Sequence, residues 1–264
     1  MTQEIRSIAG LNSLPRDDRY EALRLLIPAA LLARFQINAS NFTDEQGNSL
    51  LKWDGEPGQS DAQISLFHQH GAQDPLTYFH LTDTVSQQIH VLLAVVNDPA
   101  SARFDVDQLP DGSRTHFGIF KRNIAVEVAA FNAGLAPGQV RRGLRVLRDL
   151  MEAFEAFMSR LGHSLYFIEP LQYHNAIVFE RYGFAYQQGR RWMQSLNTRF
   201  SAGGDLVSRF DGSTPFRQPE AAGAIRGRSW AIHDGILGEP YTGVTMYKRV
   251  GQQAGINTFP NGVW

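Results

Sequence analysis

The chain contains no cysteine, which excludes disulfides, thiolate metal sites and a cysteine nucleophile together. Any metal would need histidine and carboxylate ligands, and none is expected. Net charge is nearly missing as well. The 25 basic residues against 26 acidic give −1, so no global field draws in nucleic acid or an anionic membrane. The most apolar stretch, residues 25–33, is bracketed by Arg24 and Arg34 and is too short to cross a bilayer. Residues 1–18 lack the basic start and apolar run of a signal peptide, which points to the cytoplasm. No internal repeat stands out.

What is present is an ordinary globular composition, 43% hydrophobic and 19% charged. A length of 264 residues allows one generous core or two modest ones. Apolar residues at helical spacing across 17–35 predict an amphipathic helix, or a pair broken at Pro28. Three runs, "AQISLFH", "LTYFHLT" and "QIHVLLAVV", alternate as strands and suggest an antiparallel meander. "GIFKRNIAVEVAAF" carries the longest strand signal. Ile124, Val126 and Val128 share one face of that strand, and Ala125, Glu127 and Ala129 the other, so the strand is expected to be central.

After the loop "NAGLAPGQVRRG" comes a strong helix with Leu147, Leu150, Phe154, Met158 and Leu161 on one stripe. Gly162 ends it and "SLYFIEP" begins a strand, which predicts a right-handed crossover with residues 124–131 and 165–169 as parallel strands. "NAIVFERYG" reads as a short helix, "FAYQQGRRWMQSL" as a strand region and "GVTMYKRV" as a last strand. The expected fold is α/β (α+β), with a mixed, mostly antiparallel central sheet and helices on both faces. Residues 1–60 form a helical extension packed on the core, and 61–264 the main domain, with a Gly-, Pro- and Ser-rich insertion at about 197–243.

The order of these segments resembles the GCN5-related N-acetyltransferase family, an acyl-CoA N-acyltransferase-like fold. "LAP" (Leu135, Ala136, Pro137) stands at the family's V-x-P step, and Gly143 follows that proline by six residues, as the family's turn glycine does. "HNAIVFERYGF" resembles the later segment that ends in Gly183 and Phe184, with Phe179 where many members carry a tyrosine. The resemblance implies an acetyl-CoA or other acyl-CoA co-substrate threaded between two splayed parallel strands, with its pyrophosphate on a helix N-terminus. Two positions depart from the family pattern. Arg145 replaces a small residue in the turn, and Phe179 cannot protonate a leaving thiolate.

Site roles follow from that resemblance. Backbone N–H groups near Leu135 would hold the thioester end, and Val140, Arg141, Arg142, Gly143 and Arg145 the pyrophosphate. Glu127 is the candidate general base, with a paired structural carboxylate as its bland reading. Glu169, at the carboxyl end of a strand, is the second acid–base candidate, or else a helix cap or loop ion pair. His174 and Asn175 would face substrate or the pantetheine arm, Asn175 serving equally as a cap, and Tyr182 reads as packing or a C-cap. His68 and His70 have metal-ligand spacing but no third partner. His233, Asp234 and Glu239 lie in a turn-rich stretch that is a lid or a surface insertion. The expected partner is a small-molecule amine or peptide, with room for a homodimer and with neither nucleic acid nor membrane. The alternative is a non-catalytic member of the fold that binds another ligand in the cleft.

Overall fold

The computed structural model describes residues 5–115 and 121–264. Met1 to Glu4 and the start of the expected 118–131 strand lie outside the described residues. The fold is α+β, with a mostly antiparallel sheet in the strand order β1-β2-β3-β4-β5-β7-β6. The strands are β1 Leu51–Asp54, β2 Asp61–Leu66, β3 Thr77–Asp83, β4 Ile89–Val96, β5 Leu165–Ile168, β6 Ala185–Gln188 and β7 Thr245–Arg249. The helices are α1 Ile8–Asn12, α2 Arg16–Leu26, α3 Ala29–Arg34, α4 Ile124–Asn132, α5 Leu147–Arg160, α6 Tyr173–Arg181, α7 Arg190–Arg199 and α8 Ile225–His233. Among the described residues no helix is long and apolar enough to cross a membrane.

The chain forms two compact units interleaved along the sequence. The first comprises residues 1–99, 143–169 and 247–253, and the second 100–142, 170–246 and 254–264.

In the first unit, β1 to β4 form the expected meander. Alternation sends Ile64, Leu66, Phe79, Leu81 and Val91 to one buried face. The amphipathic α5 packs there, placing Phe154 against Phe79 and Tyr166 at centroid distances of 6.0 and 4.9 Å. The 17–35 segment is two helices. Pro28 precedes α3, where its missing N–H costs no helical bond. The N-terminus of α1 is capped by the Asp83 carboxylate, which accepts from the N–H groups of Ile8 and Ala9 at 2.8 and 3.0 Å.

The second unit packs around Trp230. Its ring stacks on Phe216 at 4.9 Å, Phe131 meets it edge-on, and the Leu135 carbonyl accepts its indole N–H at 2.8 Å. Residues 254–264 are tied to α6 and α8. Buried Glu180 accepts from the Thr258 N–H and hydroxyl at 2.8 and 2.7 Å, Arg181 donates to the Gly262 carbonyl, and Arg228 lies 3.7 Å from the Phe259 ring.

Two sequence expectations are corrected. Residues 124–132 are the helix α4, not a central strand, so β4 is the parallel neighbour of β5. Gly134, at φ 88°, closes α4 in a Schellman turn. Leu135 N–H bonds the Ala130 carbonyl and Gly134 N–H that of Phe131, both at 3.0 Å. This closure and the burial of Glu127 and Ala130 one helical turn apart outweigh the β preference of Ile and Val. In "FAYQQGRRWMQSL", only residues 185–188 are strand. After Gly189 the chain becomes α7, which buries Met193 and Leu196 at helical spacing.

Candidate functional site

Glu127, expected on a strand, sits in the first turn of α4 at 2% exposure. Arg122 Nε and Nη2 donate to its Oε2 at 2.9 and 2.5 Å, and His233 Nε2 lies 3.1 Å from Oε1. Arg122 continues to Asp234 at 2.9 Å, which also accepts from Thr214 and Arg217. Burial alone pushes the Glu127 carboxyl up, but hydrogen bonds and charge from His233 and Arg122 outweigh it and leave the pKa below the ordinary value. Burial pulls Arg122 down, and the two carboxylates leave it above its ordinary value. A carboxylate saturated in this way is a poor proton acceptor. The network joins α4 to the end of α8, so His233 and Asp234 belong to it rather than to a loop free to move as a lid.

Other expected residues of the second unit are occupied within that unit. The Leu135 N–H closes α4, and the Ala136 N–H donates to Gln139 at 2.7 Å. The Val140 carbonyl accepts from the Phe104 N–H. Arg141 donates to the Ser101 carbonyl and Arg142 to that of Ala133.

His174 is buried on α6, its Nδ1 2.8 Å from the Ser229 hydroxyl, and burial pushes its pKa down to about 3. Gln172, not Asn175, is the N-cap residue of α6, and Tyr182 is the C-cap. Phe179 meets Phe184 at 5.1 Å. With Gly183 at φ 84° and Phe184 N–H bonded to the Phe179 carbonyl at 3.1 Å, the pair is the apolar contact of a second Schellman turn.

The first unit holds a different arrangement. β4 and β5 run parallel through three register pairs, Ile89 with Tyr166, His90 with Phe167 and Val91 with Ile168. The last bond is Glu169 N–H to the Val91 carbonyl at 3.3 Å. β5 then stops, while β4 continues to Val96. The register against β3 slips at His80 and Leu81, where Leu93 and Val91 are the partners and Leu92 has none. Such a bulge bends a strand and re-aims its side chains, often beside a functional site.

One feature lies at this fork, and two belong to the far end of β4 and the chain that follows Gly143 there. Glu169 lies exposed at the mouth of the fork and makes no ion pair among the described residues. Gly143 is exposed and so close to the end of β4 that a Cβ on it would lie 3.5 Å from the Val96 carbonyl oxygen. Shortly after Gly143, α5 begins at Leu147, behind Arg145 at φ 60° and the N-cap residue Val146, whose side chain makes no cap hydrogen bond. First-turn N–H groups of a helix lack intrahelical partners, so this end suits an anion. Gly143, Arg145 and Glu169 are among the residues the sequence singled out as candidates. The role of β4 was not legible there, although the bounded run "QIHVLLAVV" carried the signal of a buried strand.

His68 and His70 follow the end of β2 at Leu66 and do not share a strand. Among the described residues no group of three His, Asp or Glu side chains is arranged to hold a metal ion. Comparison with protein-family models, curated proteins and solved structures found no match to this chain.

Proposed function

We propose that the chain transfers an acyl group from an acyl-coenzyme A to an amine. The observation that carries this reading is the fork, where two parallel strands part after Val91 and Glu169, with Gly143 against the far end of β4 and, shortly after it in the chain, a helix N-terminus without a side-chain cap. Among the described residues the β5-facing edge of β4 past Val91 has no strand neighbour, so its peptide groups are available to an extended amide-bearing chain such as pantetheine. The first turn of α5 offers N–H groups to a pyrophosphate, and Arg145 and Arg148, both exposed, add positive charge.

Glu169 takes the place Glu127 had in the sequence reading. It accepts a proton from the acceptor ammonium. The freed amine nitrogen attacks the thioester carbon, the C–S bond breaks, the nitrogen gives its second proton to solvent water, and the thiolate is protonated from that water, since Phe179 has no proton to give. Release of coenzyme A thiol in the presence of a panel of amines tests the reading. Glu169→Gln is expected to lower kcat/KM by roughly 10²–10⁴, with partial recovery at high pH, where the free amine is supplied by solution. No thiol release above background with any amine contradicts it.

A second reading is a binding protein of the same architecture without transfer. It is favoured by Arg145 standing where the family has a small residue, and it is the reading that survives if acyl-CoA binds and is not turned over.

A further inference from the structure

In the first unit one face of the sheet is apolar and covered by α5, while the opposite face carries polar and aromatic side chains. Register places Asp61, Thr82, His90 and Phe167 directly beside one another across β2, β3, β4 and β5. All four are half-buried. Glu169 follows Phe167 by two residues and so shares its face, and it is exposed.

The row therefore has a carboxylate at each end. Asp61 gives only Oδ2 to His80, at 2.7 Å, and its side chain is 47% exposed. The phenol of Tyr78, beside this end, is held above its ordinary pKa by burial and by the charges of Asp61 and Asp54. Between the ends no cation stands in the row. His90 is kept below its ordinary pKa by burial, against the pull of Glu169, and its shielded Nε2 has no hydrogen-bond partner among the described residues. The Phe167 and Tyr247 rings, 6.4 Å apart, offer π-faces near the Glu169 end.

Three strand spacings across and two residues along place the Cα atoms of Asp61 and Glu169 about 16 Å apart. Two anionic ends joined by a partly apolar strip complement a molecule with two ammonium groups joined by an aliphatic chain. We infer that the acyl acceptor is an elongated α,ω-diamine lying across this row, with the reacting ammonium at Glu169 and the distal one at Asp61. The inference rests on the acyltransferase reading and names the substrate class of that site.

The test uses the full chain with acetyl-CoA, a monoamine, and a series of α,ω-diaminoalkanes whose longest members span about 16 Å. For the wild type, kcat/KM is expected to rise with chain length until that span is reached. Asp61→Asn, which keeps a hydrogen-bonding side chain for His80, should lower the ratio of kcat/KM for the long diamine over the monoamine at least tenfold, mainly through KM. Thermal unfolding of the variant shows whether it is folded. A wild type that acetylates amines with no dependence on chain length, or that prefers a peptide amine, overturns the inference and leaves the acyltransferase reading standing. If the wild type neither binds nor turns over acetyl-CoA, that reading falls instead. Direct titration of the long diamine then decides the face alone: binding weakened tenfold by Asp61→Asn supports the inference, and absence of binding overturns it.

Discussion

Glu127 and Glu169 show how one residue type takes two roles from its surroundings. The Glu127 side chain is 3% exposed and touches the Arg122 guanidinium and the His233 ring, so removing it leaves the half-buried guanidinium with Asp234 alone. Glu127→Ala is expected to cost about 1–3 kcal/mol in urea denaturation. A loss of activity with stability unchanged would instead mark it as the base. The sequence showed one carboxylate in an apolar run, but nothing local revealed Arg122 or the distant His233 as its partners. His174 supports a pH prediction. Its folded pKa is depressed to about 3 from 6.5, so its contribution is fully present above pH 6.5. As pH falls from 6.5 toward 3, the unfolded chain binds a proton that the folded chain does not. Stability is expected to fall in this window by up to about 1.4 kcal/mol per pH unit, more steeply than in His174→Leu. Parallel pH–stability curves would place His174 in contact with solvent.

At the scale of elements, helix ends decided what periodicity left open. The run "IAVEVAAF" satisfies strand alternation, yet "AGL" after it supplies a glycine for a left-handed C′ position and an apolar residue for C″, which is helix-ending chemistry. A methyl group on Gly134 would meet open space, so Gly134→Ala introduces backbone strain without a clash and is expected to cost roughly 1–2 kcal/mol. A neutral or stabilising effect on thermal unfolding would contradict the helical assignment. The same grammar explains "ERYGF". Phe179 meets Phe184 across the turn at Gly183, so its aromatic character serves the closure of α6. The β-meander, α5, β5 and α6 were legible because their periods and boundaries agree. α4 and α7 were not, because the deciding signals were a cap and a helical face that emerges only after Gly189.

At the scale of the whole molecule, the fold class was legible and the interleaving of its two units was not, since segments distant in sequence complete each one. Their contacts leave no local mark on composition. Periodicity located the long helix and the strand that follows, but the strand expected before them falls on residues that form α4. The parallel partner is β4, and residues 97–146 separate it from the helix. Whether the fork of β4 and β5 holds acetyl-CoA is read by calorimetric titration. Saturable micromolar binding to the wild type is expected, retained in Gly143→Ala, whose methyl would meet the Val96 carbonyl at an ordinary 3.5 Å, and abolished in Gly143→Glu, which sets a carboxylate against the pyrophosphate. Absence of heat and of saturation with the wild type, or binding unaffected by Gly143→Glu, would contradict that placement of acetyl-CoA.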